Sequence, residues 1–124
     1  MNILLIEELL KCSDFELQAT QHRLSFPILL RLYTKMKSGI RFEDIKVHGN
    51  LIIDGHHRYI ASIVANYKLG VVPYPSTSAT RSTFWREVSL DMNDWDTTAE
   101  ILKHNKYDAL YNSIDLSEIS KILE

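Results

Sequence analysis

The feature that most constrains this chain is a hydrophobic run that meets a glycine and passes at once into a helix. It reads Ile52-Ile53-Asp54-Gly55-His56-His57-Arg58-Tyr59-Ile60-Ala61-Ser62. Before the glycine the residues are β-branched and suit a strand. After it, Ile60, Ile63, Val64 and Tyr67 fall at helical spacing, which predicts a helix from about His56 to Lys68, stopped by Gly70. Upstream, Phe42–Val47 and Leu51–Ile53 flank His48-Gly49-Asn50, the pattern of a β-hairpin. Downstream, Val71-Val72-Pro73-Tyr74-Pro75 reads as a short strand whose prolines confine it to an edge or a strand end.

The rest of the chain fills in around this unit. Ser25 is placed to cap a helix with Pro27 in its first turn, Ile28, Leu29, Leu32, Tyr33 and Met36 on one face, and Gly39 closing it. Asn2–Lys11 is so continuously apolar that period does not separate helix from strand. Ser76–Thr83 is a hydroxyl-rich loop that can close over a ligand, although such loops are usually just solvated. Phe84–Leu90 alternates partly, as a strand does. Asp94 or Asp96 can cap a helix carrying Trp95, Ala99, Ile101 and Leu102, and Asp115 with Glu118 has capping-box spacing before a last helix. Trp85 and Trp95 read as core anchors. The expected fold class is α+β, a small mixed β-sheet flanked by helices, with residues 1–124 forming a single domain.

Composition narrows the function classes. At 45% hydrophobic and 24% charged residues the chain can bury a core. The formal net charge of −2 provides no global field for nucleic acid, so any such contact needs a local patch. No apolar run approaches the length of a bilayer span, and the start Met1-Asn2-Ile3 lacks the basic segment of a secretory signal. Cys12 is the single cysteine and has no internal disulfide partner. A cytoplasmic protein without a membrane segment is the expectation.

Chemistry concentrates at the amino end of the His56 helix. Its first N–H groups lack intrahelical partners, and the helix dipole adds about half a positive charge there. Gly55 leaves room for a close approach, and Arg58 presents a planar fork suited to phosphate oxygens. His57 can move a proton or contact phosphate; equally, it can cap its own helix. His56 lies about 30° of helical arc from the apolar face, which favours packing at least as much as catalysis. Asp54 reads as the N-cap, with a competing role in holding Mg2+ or a water beside a phosphate. Adjacent histidines are poor ligand geometry on a helix, so no transition-metal site is expected.

The same residues resemble the ParB/sulfiredoxin-like superfamily: a strand, then Gly-x-His-Arg-x-x-Ala at residues 55–61, an apolar helix, and the Val-x-Pro strand at residues 71–73. The Asp-Gly-His-His-Arg-Tyr version is similar to ParB-like nuclease domains that occur alone, in phages and in toxin cassettes. Thr20-Gln21-His22-Arg23 resembles the Gln-x-Arg element preceding the first ParB helix, so the likeness covers residues 16–75 and leaves 76–124 as an extension of unassigned role. The resemblance implies that Gly55, Arg58, Gln21 and Arg23 bind phosphate, with His57, Arg58 and His56 as catalytic candidates. Relatives bind CTP, transfer phosphate from ATP or ADP, or reduce sulfinic acids. Two departures matter. His56 stands where sulfiredoxins carry their cysteine, which argues against thiol chemistry. The chain is also too short for a ParB-sized DNA-binding domain after the box. The implied function is an NTP hydrolase or nuclease, toxin-like, acting on a nucleotide or nucleic-acid phosphodiester. The alternative is a non-catalytic CTP- or ATP-type switch that docks to a protein partner or forms a homodimer.

Overall fold

The computed structural model describes residues 1–12 and 14–124. The apolar amino-terminal run is a helix, α1 (Ile3–Cys12), with the Asn2 side chain accepting the Leu5 N–H at 2.9 Å. Only Ile6 and Leu10, four residues apart, are buried; Leu4 and Leu5 face outward. After β1 (Arg23–Ser25), α2 (Phe26–Lys37) starts with Pro27 in its first turn and ends before Gly39, which takes φ +90°.

The hairpin forms as expected, β2 (Ile45–His48) antiparallel to β3 (Leu51–Asp54), with Gly49 at φ +59° in the turn. Helix α3 (His56–Ala65) follows. It stops earlier than the expected Lys68, because Asn66 adopts the left-handed conformation at φ +54° and Tyr67 N–H returns to the Ser62 carbonyl at 2.8 Å. Gly70 serves another purpose: a Cβ there would lie 2.0 Å from Asp44 Oδ1. Strand β4 (Val71–Pro73) pairs parallel with β2 at the sheet edge, giving the order β3-β2-β4.

Beyond residue 76 four expectations need correction. Phe84–Leu90 is not one strand: Trp85–Glu87 is a single 3₁₀ turn, and β5 (Ser89–Asp91) follows it. β5 pairs parallel with β1, so the strands form two small sheets rather than one. Helix α4 (Thr98–Tyr111) is capped by Thr97, whose hydroxyl accepts the Glu100 N–H while Glu100 accepts the Thr97 N–H. Asp94 and Asp96 are spent on Arg31 instead. A last helix, α5 (Leu116–Ile122), starts at Asp115, whose side chain makes no capping bond. The class is α+β, and no helix among the described residues is long and apolar enough to cross a membrane.

Two cores result. Ile6, Leu24, Leu29, Ile45, Ile52 and Ile60 are fully buried in the larger one, with Trp85 wedged beside Phe15 and Tyr59 and donating from Nε1 to the Leu17 carbonyl at 2.8 Å. The smaller one holds Ile40, Ala109 and Ile119 and seats α4 and α5. Trp95 belongs to neither; it is 41% exposed and donates to Asp91, so it is not a core anchor.

Candidate functional site

Gly55 turns β3 into α3 with φ +113°, a conformation that only glycine adopts without strain. It, and not Asp54, is the N-cap residue. A Cβ at Gly55 would come within 2.3 Å of Ile45 Cγ2 and 3.3 Å of Arg58 Nη2. The missing side chain therefore makes room for the hairpin and the arginine rather than for a ligand. The first bond of the helix runs from Tyr59 N–H to the Gly55 carbonyl at 2.9 Å. The N–H groups of His56, His57 and Arg58 have no partner among the described residues.

Both histidines are tied down. His56 is buried, and its Nε2 accepts the Thr20 N–H at 2.9 Å, while Thr20 Oγ1 reaches the Ile52 carbonyl. His57 Nε2 accepts the Ser25 N–H at 2.8 Å, with the ring edge-on to Trp95 at 5.2 Å. His57 thus fastens β1 to α3 and does not cap its own helix. Burial pushes both imidazoles down to about 4, so both are neutral at pH 7 with the proton on Nδ1. Ser25 sits at the N-cap of α2 by position, but its hydroxyl donates to the Asn93 carbonyl at 2.9 Å.

Arg58 donates from Nη1 to the Glu43 carbonyl at 3.0 Å and lies 3.6 Å from the Asp54 carboxylate, which leaves other guanidinium N–H groups free. Gln21 donates to the Arg23 carbonyl at 2.8 Å. Gln21, Gly55, His56, His57 and Arg58 line one cleft of about 460 Å³, a size typical of small-ligand sites. Arg23 does not line it; its guanidinium pairs with Asp91. The Thr77–Arg81 loop is also elsewhere, bonded to itself through Thr77, Thr80 and Arg81.

The opposite wall comes from α2 and α4. Ile28, Leu32 and Lys35 on α2 face Ile101, Asn105 and Asp108 on α4, each triplet at i, i+4, i+7. Lys35 Nζ and Asp108 Oδ2 meet at 2.6 Å as a buried ion pair. Arg31 is forked onto Asp94 and reaches Asp96 at 3.2 Å. Asn105 is 9% exposed, and its Oδ1 has no partner. Sequence reasoning missed Lys35, Asn105 and Asp108. Their signal was present, since polar residues standing at apolar-stripe positions of an amphipathic helix mark a buried polar wall. No three His, Cys, Asp or Glu side chains gather into a metal cage among the described residues.

Comparison with known proteins finds no family model, no curated protein and no solved structure that matches this chain.

Proposed function

We propose that this chain is a ParB/sulfiredoxin-like phosphate-binding protein that takes a nucleotide-type compound into the cleft, its phosphate on the amino end of α3. The observation that carries this reading is the convergence of three unpartnered N–H groups with Arg58 on one cleft. Helix-start N–H groups without intrahelical partners, together with the positive end of the helix dipole, favour an anion at that position. The geometry favours a binding module over histidine-driven catalysis: each Nε2 already accepts a backbone N–H, and burial disfavours the protonated ring.

One observation favours hydrolysis of the bound nucleotide or phosphodiester as a second reading. The Asp54 side chain is 66% exposed beside Arg58, which leaves its carboxylate open to a Mg2+ ion carried in by the phosphate oxygens of a bound nucleotide. Calorimetric titration with ATP, CTP and pyrophosphate tests the common premise. Arg58→Ala should weaken binding by roughly ten- to a hundredfold, and Arg58→Lys almost as much, because the planar fork is lost. Unchanged affinity in Arg58→Ala refutes the site. Product formed with Mg2+, and lost in Asp54→Asn, selects the hydrolase; saturable binding without product selects the module.

A further inference from the structure

We infer that Asn105 reads the base of a mononucleotide whose phosphate sits on α3; this deepens the phosphate-binding reading and rests on it. Asn105 stands on the inward stripe of α4 with Ile101 and Ala109, where an apolar side chain is the ordinary choice. Instead the chain buries an amide whose Oδ1 has no hydrogen-bond partner. A buried acceptor left unpaired weakens the fold, so its presence in a ligand-sized cleft points to a donor supplied from outside. A carboxamide presents an acceptor and a donor side by side, which matches the paired donor and acceptor edge of a nucleobase.

Two neighbours fit the same ligand. Tyr107 and Tyr111, one helical turn apart, also line the cleft, and their rings stack at 6.2 Å with 14° between planes. Both rings are about half exposed, a surface on which a base can lie. The charge pattern selects a free nucleotide over a polynucleotide. A strand of nucleic acid needs a continuous basic track. Of the four Lys and Arg side chains lining the cleft, Arg31 and Lys35 are already neutralised by Asp94, Asp96 and Asp108. That leaves Arg41 and Arg58, enough for the phosphates of one nucleotide but not for a track.

The test titrates the full chain with ATP, CTP, GTP, UTP and inorganic triphosphate, and repeats this for Asn105→Leu and Asn105→Ala. Wild type should bind at least one nucleotide more tightly than triphosphate. Both variants should lose that margin, by roughly ten- to a hundredfold, with triphosphate affinity unchanged. Asn105→Leu should melt no lower than wild type, since it removes an unpaired buried acceptor; this separates lost recognition from lost folding. A margin that survives in both variants overturns the inference, as does an oligonucleotide that outcompetes every mononucleotide. Arg58-dependent binding of triphosphate with no margin over it overturns the role of Asn105 alone. Binding of neither nucleotide nor triphosphate overturns the phosphate site as well.

Discussion

The two walls of the cleft are anchored by different physics. On the α3 side, Ile45, Ile52 and Ile60 root the Gly55 turn in the larger core, His57 ties β1 to it through Ser25, and His56 ties Thr20. On the α4 side, the apolar seat is only Ile40, Ala109 and Ile119 with a few partners, and charge does the rest. Lys35 to Asp108 and Asn112 to the Arg41 backbone tie α4 and its end to α2 and its following loop, and Arg31 to Asp94 and Asp96 ties the segment leading into α4. Apolar packing is non-directional and tolerates little movement once dense, whereas ion pairs depend on one geometry and on a dry surrounding. The wall rooted in apolar packing therefore carries the turn proposed to hold phosphate, and the wall proposed to meet the rest of the ligand is the one held by polar links.

The sharpest way to break this contrast is at the buried ion pair. Asp108→Ala leaves the Lys35 ammonium, 4% exposed, without its partner and should cost about 3–5 kcal/mol in urea unfolding. Replacing both residues together, Lys35→Met with Asp108→Leu, should restore most of that loss. If the single and double variants are equally unstable, the α4 wall is held by something other than charge.

Next in size is Gly55→Ala on the wall rooted in apolar packing. The φ of +113° and the 2.3 Å approach to Ile45 both oppose a Cβ, so the loss should be roughly 2–4 kcal/mol. A near-neutral Gly55→Ala in the same assay would mean that the turn is looser than its packing implies.

Acid separates the two walls without a substitution. His56 and His57 titrate near 4 when folded, against an ordinary imidazole value of about 6.5. Between these values the unfolded chain binds protons that the folded chain refuses. Stability is thus complete above about pH 6.5 and falls as the pH drops toward 4, by up to ~1.4 kcal/mol per pH unit for each histidine. On the other wall, the hydrogen bond from Arg31 holds the Asp94 carboxyl below its usual range, so that link fails only at still lower pH. Urea midpoints at pH 7.5, 5.5 and 4.5 should decline steadily, and a flat profile over that range would contradict the buried, neutral histidines.

How much of this was legible in the sequence follows from which interactions are local. The hairpin, the Gly55 junction and α2 were readable, because each couples a change of hydrophobic period to a turn residue within a few positions. The end of α3 was misread because Asn66, not Gly70, takes the left-handed position. The start of α4 was misread because Asp94 and Asp96 look like caps until Arg31, more than sixty residues earlier, claims them. Trp95 was misplaced for a related reason: its indole bonds Asp91 and flanks His57 instead of entering a core. Of the site, Gly55, Arg58 and the histidines were identifiable from the box. Their roles were not, since the Nε2 partners of both histidines lie in residues 20–25 and are set by tertiary packing. The polar stripe of Lys35, Asn105 and Asp108 becomes a wall only when α2 and α4 face each other across the cleft.

The central claim is that the free N–H groups at the start of α3 receive a phosphate, and amide NMR addresses it residue by residue. Isotope-labelled protein titrated with pyrophosphate should show its largest amide shifts at His56, His57 and Arg58, saturating together and weakened in Arg58→Ala. Saturable binding that leaves those three amides unmoved, with shifts gathered elsewhere, would contradict the account.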